Sequence, residues 1–238
     1  DVVDAANFLF DGNGLSVQAM DTSHVSLVAA TFPADAWDEY DCAGSLVAGF
    51  SLKSLKTLLR TAARDDVLTV KAEGTNPDSV LFAFADAAGS AWEVDVRCLV
   101  IDAEGLAIPS ADPGAVWRPD APARYVDLVS RFDALGADEL ELAFDPDDAK
   151  LVAAGHGAEL NGTLAVTDGV AVHTPDAYSE RFSVTLLKRF AKGAAVGAGR
   201  PVRCTLEASN GAPLVIRFES APPAAALEKP DFSAEAVR

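Results

Sequence analysis

One succession of segments occurs twice in this chain, in the same order, and that repeat constrains the fold more than any other feature. Ser51–Ala63 reads SLKSLKTLLRTAA, with Leu52, Leu55, Leu58 and Leu59 at the spacing that gathers apolar side chains on one helix face. Two strand-like runs follow, VLTVKAEG and SVLFAFADA, joined by a turn containing Asn76 and Pro77. Much later, Ser183–Ala194 (SVTLLKRFAKGA) places Val184, Leu187 and Phe190 at helical spacing, and PVRCTLEAS and APLVIRFES follow across Asn210-Gly211. Helix then hairpin is written twice.

Each of these units is preceded by a block that reads as paired strands, Leu15–Thr31 in the first half and Ala149–Val166 in the second. In the second half a helix, Arg124–Leu135 (RYVDLVSRFDAL), comes before that block, whereas in the first half only DVVDAANF stands in the corresponding place. The first copy is therefore expected to start inside a helix, with its opening strand and helix start missing. Ile101–Arg118, rich in Pro and Gly, reads as a linker. The expected organisation is α+β: an N-terminal domain over residues 1–97, a connector over 98–118 and a C-terminal domain of similar topology over 119–238.

Composition excludes several classes. The 19 Lys and Arg face 36 Asp and Glu, a net charge of −17, which rules out a generally basic nucleic-acid coat, and 50% hydrophobic residues exclude disorder throughout. Apolar stretches such as Val80–Ala85 and Pro222–Leu227 are far shorter than the ~20 residues of a membrane-spanning helix, so a soluble protein is expected. Cys42, Cys98 and Cys204 are odd in number and share no CxxC spacing, which suggests neither a disulfide framework nor a zinc site and fits a reducing compartment. DVVDAANF has no basic stretch leading into an apolar core, so a cytosolic or nuclear setting is expected.

No enzymatic constellation is legible. His24, His156 and His173 are scattered and none lies in an HExxH pattern; His156, in GHGAE, reads as a loop residue. Gly193–Gly199 fits neither GxGxxG nor a P-loop and reads as a turn, and Asp145–Asp148 lacks the twelve-residue calcium-loop pattern. No metal, cofactor or catalytic residue is expected.

The run Leu15–Val28, LSVQAMDTSHVSLV, resembles the signature near the start of the proliferating cell nuclear antigen family of sliding DNA clamps. Gly49–Glu73, the connector Val94–Pro109 (VDVRCLVIDAEGLAIP), and LLKRFAKG followed by APLVIRF agree with it in order and spacing, so the resemblance runs to about Phe218. It implies two tandem clamp domains with sheets outside and helices lining a hole, three chains closing head to tail around duplex DNA. The helices that would line the hole carry cations: Lys53, Lys56, Arg60 and Arg64 at i, i+3, i+7 and i+11 opposite the leucines, Arg124 and Arg131 on the middle helix, and Lys188, Arg189 and Lys192 on the last. Solvated helix faces are the alternative for any one stripe, since charged residues ordinarily cover exposed faces. Asp127, Ser130 and Thr185 stand where the family often has cations.

The resemblance also implies a pocket for short partner motifs with a hydrophobic plug, built from Met20, His24, Val25, Leu27, Leu106, Ile108, Pro109 and Pro213. Ordinary strand core is the other reading for Met20, Val25 and Leu27. Ring closure is expected to pair Trp92–Val100 of one subunit with Leu160–Thr167 of the next, through Trp92, Val94, Val96, Cys98, Leu160, Thr163 and Val166, although the alternation of Val94, Val96 and Cys98 equally fits an internal strand. After Phe218 the chain lacks the family's usual aromatic strand and Ala-Pro-Lys ending, and DPDD at Asp145–Asp148 has no lysine where the eukaryotic clamp is modified.

The function so implied is a DNA polymerase processivity factor, non-enzymatic and homotrimeric, in the nucleus or a viral replication compartment. Expected partners are duplex DNA, DNA polymerase, clamp loader, flap endonuclease and ligase, with no membrane. The alternatives are a subunit of a heterotrimeric clamp, or an acidic β-rich binding module or DNA mimic that never encircles DNA.

Overall fold

Strict alternation writes the strands, and a computed structural model that describes residues 2–102, 115–145, 150–166, 178–195, 201–209 and 211–220 shows where they pair. The chain divides into two units, Asp1–Ala107 and Ile108–Arg238. The first contains β1 (Ala5–Asp11), β2 (Gly14–Met20), β3 (Leu27–Pro33), β4 (Leu46–Ser51), the helix α1 (Leu52–Leu59), β5 (Val67–Lys71), β6 (Ser79–Ala85) and β7 (Ala91–Arg97). They form two antiparallel sheets, ordered β3-β2-β1-β4 and β5-β6-β7. In β6 the alternate residues Val80, Phe82 and Phe84 are buried while Leu81, Ala83 and Ala85 stay half-covered. Phe82 meets Phe50 of β4 edge-on, ring centroids 5.9 Å apart, and Leu55 of α1 joins the same core. Each such side chain contributes about 1.5–3 kcal/mol by leaving water.

The second unit contains β8 (Ala115–Trp117), α2 (Pro122–Ala134), β9 (Ala137–Asp145), β10 (Lys150–Gly157), β11 (Asn161–Val166), β12 (Tyr178–Ser183), α3 (Val184–Phe190), β13 (Val202–Ala208) and β14 (Val215–Ser220). Its sheets are ordered β11-β10-β9-β12 and β14-β13-β8. The order β9-β10-β11-β12-α3-β13-β14 therefore repeats β1-β2-β3-β4-α1-β5-β6, strand for strand and with the same four-stranded sheet. The copies differ at the third strand of the smaller sheet: β7 adds beside β6, whereas β8 adds beside β13, the counterpart of β5.

Proline at the start of α2 suits a position whose N–H has no helical partner. The apolar face of α2 buries Tyr125, Leu128, Val129 and Phe132. The Tyr125 hydroxyl donates to the Leu187 carbonyl of α3 at 2.8 Å, fixing the two helices side by side, and burial raises that phenol far above its ordinary pKa. Phe132 lies directly on Gly155 of β10, where an added Cβ would stand 2.2 Å from the ring.

Several sequence expectations need correction. DVVDAANF does not close a helix: strand β1 begins at Ala5, paired Ala5↔Ser51 and Asn7↔Gln18, because its residues complete a sheet rather than cover one. The helix expected over Ser51–Ala63 stops at Leu59, since the Thr61 hydroxyl takes the Leu58 carbonyl at 2.5 Å and the Asp66 carboxylate takes the Ala63 N–H at 2.8 Å. Both bonds compete with continued helix. The helix expected over Ser183–Ala194 ends at Phe190 and passes into a 3-10 turn, Ala191–Ala195. His156 is not in a loop but on β10. Ala115–Trp117, within the stretch read as connector, is a fully buried strand of the second unit's sheet.

Candidate nucleic-acid interface and docking surfaces

The cations of α1 are positioned by the helix start. The Ser51 hydroxyl accepts from the Ser54 N–H at 3.4 Å and so caps the helix, which turns Leu55 into the core and leaves Lys53, Lys56 and Arg60 exposed. Arg64 is exposed too, but it lies beyond the end of α1 and does not continue the stripe. Residues 52–64 contain no acid, so this face is uniformly positive in a chain of charge −17.

In the second unit Arg124 and Arg131 are exposed on α2, and Lys188 and Arg189 are exposed on α3, whose neighbour Lys192 sits in the 3-10 turn. Packing of α2 on α3 brings these two groups together within one unit. Asp127, Ser130 and Thr185 are exposed on the same helices. Arg131 also lines a small cleft of about 180 Å³ with Phe132, Leu135, Gly162, Thr163 and Leu164, at the side of β11. A residue absent from the sequence expectations, Asp133, reaches Lys188 Nζ at 2.5 Å. No spacing rule connects positions 133 and 188; only the α2–α3 contact does.

Around the docking residues, Met20 and Leu27 are cross-strand neighbours at the ends of β2 and β3 and are half-buried. Val25 is 70% exposed, which excludes strand core for it. The intervening loop is tied by Asp21, whose Oδ1 accepts from the N–H groups of Val25 (2.9 Å) and Ser26 (2.7 Å) and whose Oδ2 accepts from the Ser23 hydroxyl. Those donors, Ser23 foremost, hold its carboxyl below the usual aspartate range. His24, at the tip, takes the left-handed backbone at φ 57°. Pro213 is exposed in the β13–β14 turn of the second unit. Leu106, Ile108 and Pro109 lie outside the described residues.

The strands expected at the subunit interface are both edges. Among the described residues β7 pairs only with β6, and β11 only with β10, so β7 is not the internal strand that its alternation equally allowed. Trp92, at one end of β7, stacks on Phe84 with centroids 4.2 Å apart, and Val94 and Val96 share the face of Phe82 and Val80. β7 stops at Arg97, short of Cys98, whose N–H goes to the Asp78 carbonyl at 2.8 Å and whose thiol is pushed up by burial first and by Asp78 second. Leu160 is exposed just before β11, Thr163 is exposed on it, and Val166 packs against the second unit's core; Thr167 lies outside the described residues.

Among the described residues, another polar cluster lies on the second unit's larger sheet, on the face away from its buried alternate residues. Glu141 accepts from the Ser179 hydroxyl at 2.7 Å and Arg181 Nε at 3.3 Å, and His156 Nε2 lies 3.0 Å from it. These donors, Ser179 first, hold the carboxyl below its ordinary value. The hydroxyl meets the carboxylate and not the imidazole, so the cluster zips β9, β10 and β12 together without presenting an activated nucleophile. No group of three or more metal-ligating side chains occurs among the described residues.

Residues 1–105 match the family model of the proliferating cell nuclear antigen N-terminal domain. The proliferating cell nuclear antigen of Dictyostelium discoideum is 25% identical over 92% of this chain and 86% of its own length, and that of Caenorhabditis elegans is 28% identical over 92% and 84%. The crystal structure of the protein from Entamoeba histolytica superposes with a TM-score of 0.82 at 24% identity, covering 93% of this chain and 86% of that one. The chain has the clamp fold, and along nine-tenths of its length it is similar in sequence to proliferating cell nuclear antigen.

Proposed function

We propose that this chain is a sliding-clamp subunit, a processivity factor that encircles duplex DNA and docks replication and repair proteins without catalysis of its own. The observation that carries the reading is the clamp fold over 93% of the chain, joined to exposed acid-free cation stripes on α1 and α3 in a protein of charge −17. Phosphate contact is local, so an acidic molecule can hold DNA by one surface. Contacts to phosphates alone carry no sequence information, which suits a ring that must slide.

Closure would be head to tail, the free edge of β7 adding to the free edge of β11 in the next chain; a heterologous contact that closes gives a ring. Three identical chains are the simplest ring. The loop bearing His24 and Val25, with Met20, Leu27, Leu106, Ile108, Pro109 and Pro213, would receive short hydrophobic motifs of DNA polymerase, clamp loader, flap endonuclease and ligase. Linkage to DNA then raises the local concentration of whatever is docked. The working compartment would be the nucleus or a viral replication site.

Two measurements test this: molar mass by light scattering at two salt concentrations, and retention on closed circular DNA against the same DNA linearised. A mass of three chains with retention lost on linearisation is the expected result. A trimer that never retains DNA fits an acidic binding module instead, and a chain that stays single unless mixed with different subunits fits a heterotrimer.

A further inference from the structure

The charges of the second unit's two helices do not add. α2 carries Arg124 and Arg131 against Asp127 and Asp133, a net formal charge of 2 − 2 = 0. α3 with its 3-10 turn carries Lys188, Arg189 and Lys192 and no acid. The contact between the helices places Asp133 Oδ2 2.5 Å from Lys188 Nζ, with 56% of the lysine and 37% of the aspartate side chain still exposed. α1, the counterpart of α3 in the first unit, has no acid within residues 52–64 to do the same.

A pair this exposed adds little to folding, because water screens it and two long side chains must be held still. Its consequence lies in the field outside. An ammonium in contact with a carboxylate offers a phosphate a dipole rather than a charge, and it releases no counterion from DNA unless it first leaves its partner. We propose that Asp133 masks Lys188, so that this lysine engages no phosphate while the pair holds, and that Asp133 thereby sets how firmly the second unit holds DNA. This rests on the clamp reading above. The residue is a positioning residue: it touches no DNA and acts through Lys188. A weaker hold on one unit lowers the barrier to sliding while α1 keeps the ring's hole attractive to the duplex.

The test is a mutant cycle read by the salt dependence of binding to a short fluorescent duplex between 50 and 200 mM salt. Each phosphate engaged adds about 0.9 to the slope of log affinity against log salt, about a 3.5-fold change over that range. Asp133→Asn is expected to steepen the slope by about that amount for each chain of the ring whose second unit touches the duplex. Lys188→Gln alone should leave the slope unchanged, and Lys188→Gln added to Asp133→Asn should restore the original slope. Asp38→Asn, an exposed residue of the first unit, makes the same charge change elsewhere and should leave the slope alone. The proposal is overturned if Lys188→Gln alone flattens the slope by a full contact, or if the double variant stays as steep as Asp133→Asn. Failure of the clamp reading has a different signature: Arg60→Glu leaves binding unaltered and the unsubstituted chain shows no salt-dependent affinity for duplex.

Discussion

At Gly155 the backbone of β10 comes so close to α2 that a Cβ would stand 2.2 Å from Cδ1 and 2.8 Å from Cε1 of Phe132. The ring is itself buried in the second unit's core, so the added methyl must displace packed atoms. Gly155→Ala is expected to cost about 1–3 kcal/mol as overpacking, seen as a lower urea midpoint at unchanged slope. Asp21 acts by charge rather than volume. Its carboxyl is depressed in the folded chain, so the loop stabilisation it gives is complete above the ordinary aspartate pKa of about 3.9 and is lost as pH falls through the lower folded value. The amide resonances of Val25 and Ser26, which bond to it, should titrate together with a midpoint below that ordinary value and should not titrate in Asp21→Asn. A midpoint at or above 3.9 would mean the loop bonds do not favour the ionised form.

At the scale of elements, the edges of β7 and β11, each paired on one side only among the described residues, carry the argument for assembly. Thr163 and Ala165 lie on the exposed face of β11, and charged side chains, lysine above all, are a device by which edge strands resist adding to another sheet. Thr163→Lys with Ala165→Lys is expected to convert the proposed ring to single chains by light scattering while leaving the far-ultraviolet circular dichroism unchanged. An undiminished mass would remove β11 from the interface. Most elements were legible from sequence because their periods are strong: Val80, Phe82 and Phe84 can only alternate on a strand, and Leu52, Leu55 and Leu58 only align on a helix. The ends were not legible. Leu58 and Leu59 continue the helical spacing, but the Thr61 hydroxyl and the Asp66 carboxylate end the helix by capturing backbone groups, and Arg64 leaves the stripe with it. The stretch DVVDAANF misled because register with β4, far along the chain (Ala5 opposite Ser51, Phe8 opposite Ala48), decides its state. Tertiary contact alone joins Asp133 to Lys188 and seats His156 beside Glu141.

For the whole molecule, a charge of −17 and a positively striped α1 respond to salt in opposite directions. Bringing identical acidic chains together raises their mutual repulsion, and that repulsion falls as the Debye length shrinks from ~10 Å at 0.1 M toward ~3 Å at 1 M. The contact itself, argued from strand edges and exposed apolar side chains such as Leu160, depends little on screening. In the proposed clamp, binding to DNA would lose counterion release over the same range and weaken steeply. If the chain is the proposed clamp, raising sodium chloride from 50 to 500 mM is therefore expected to lower the concentration at which the ring dissociates while it lowers the affinity for duplex. Sedimentation velocity across a dilution series measures the first and fluorescence anisotropy the second. Assembly that weakened with salt would show that ion pairs across the interface outweigh the repulsion of the acidic bodies, and the edge-pairing account of closure would need charged partners for Glu93, Asp95 and Arg97 of β7 that β11, which carries no charge, does not supply.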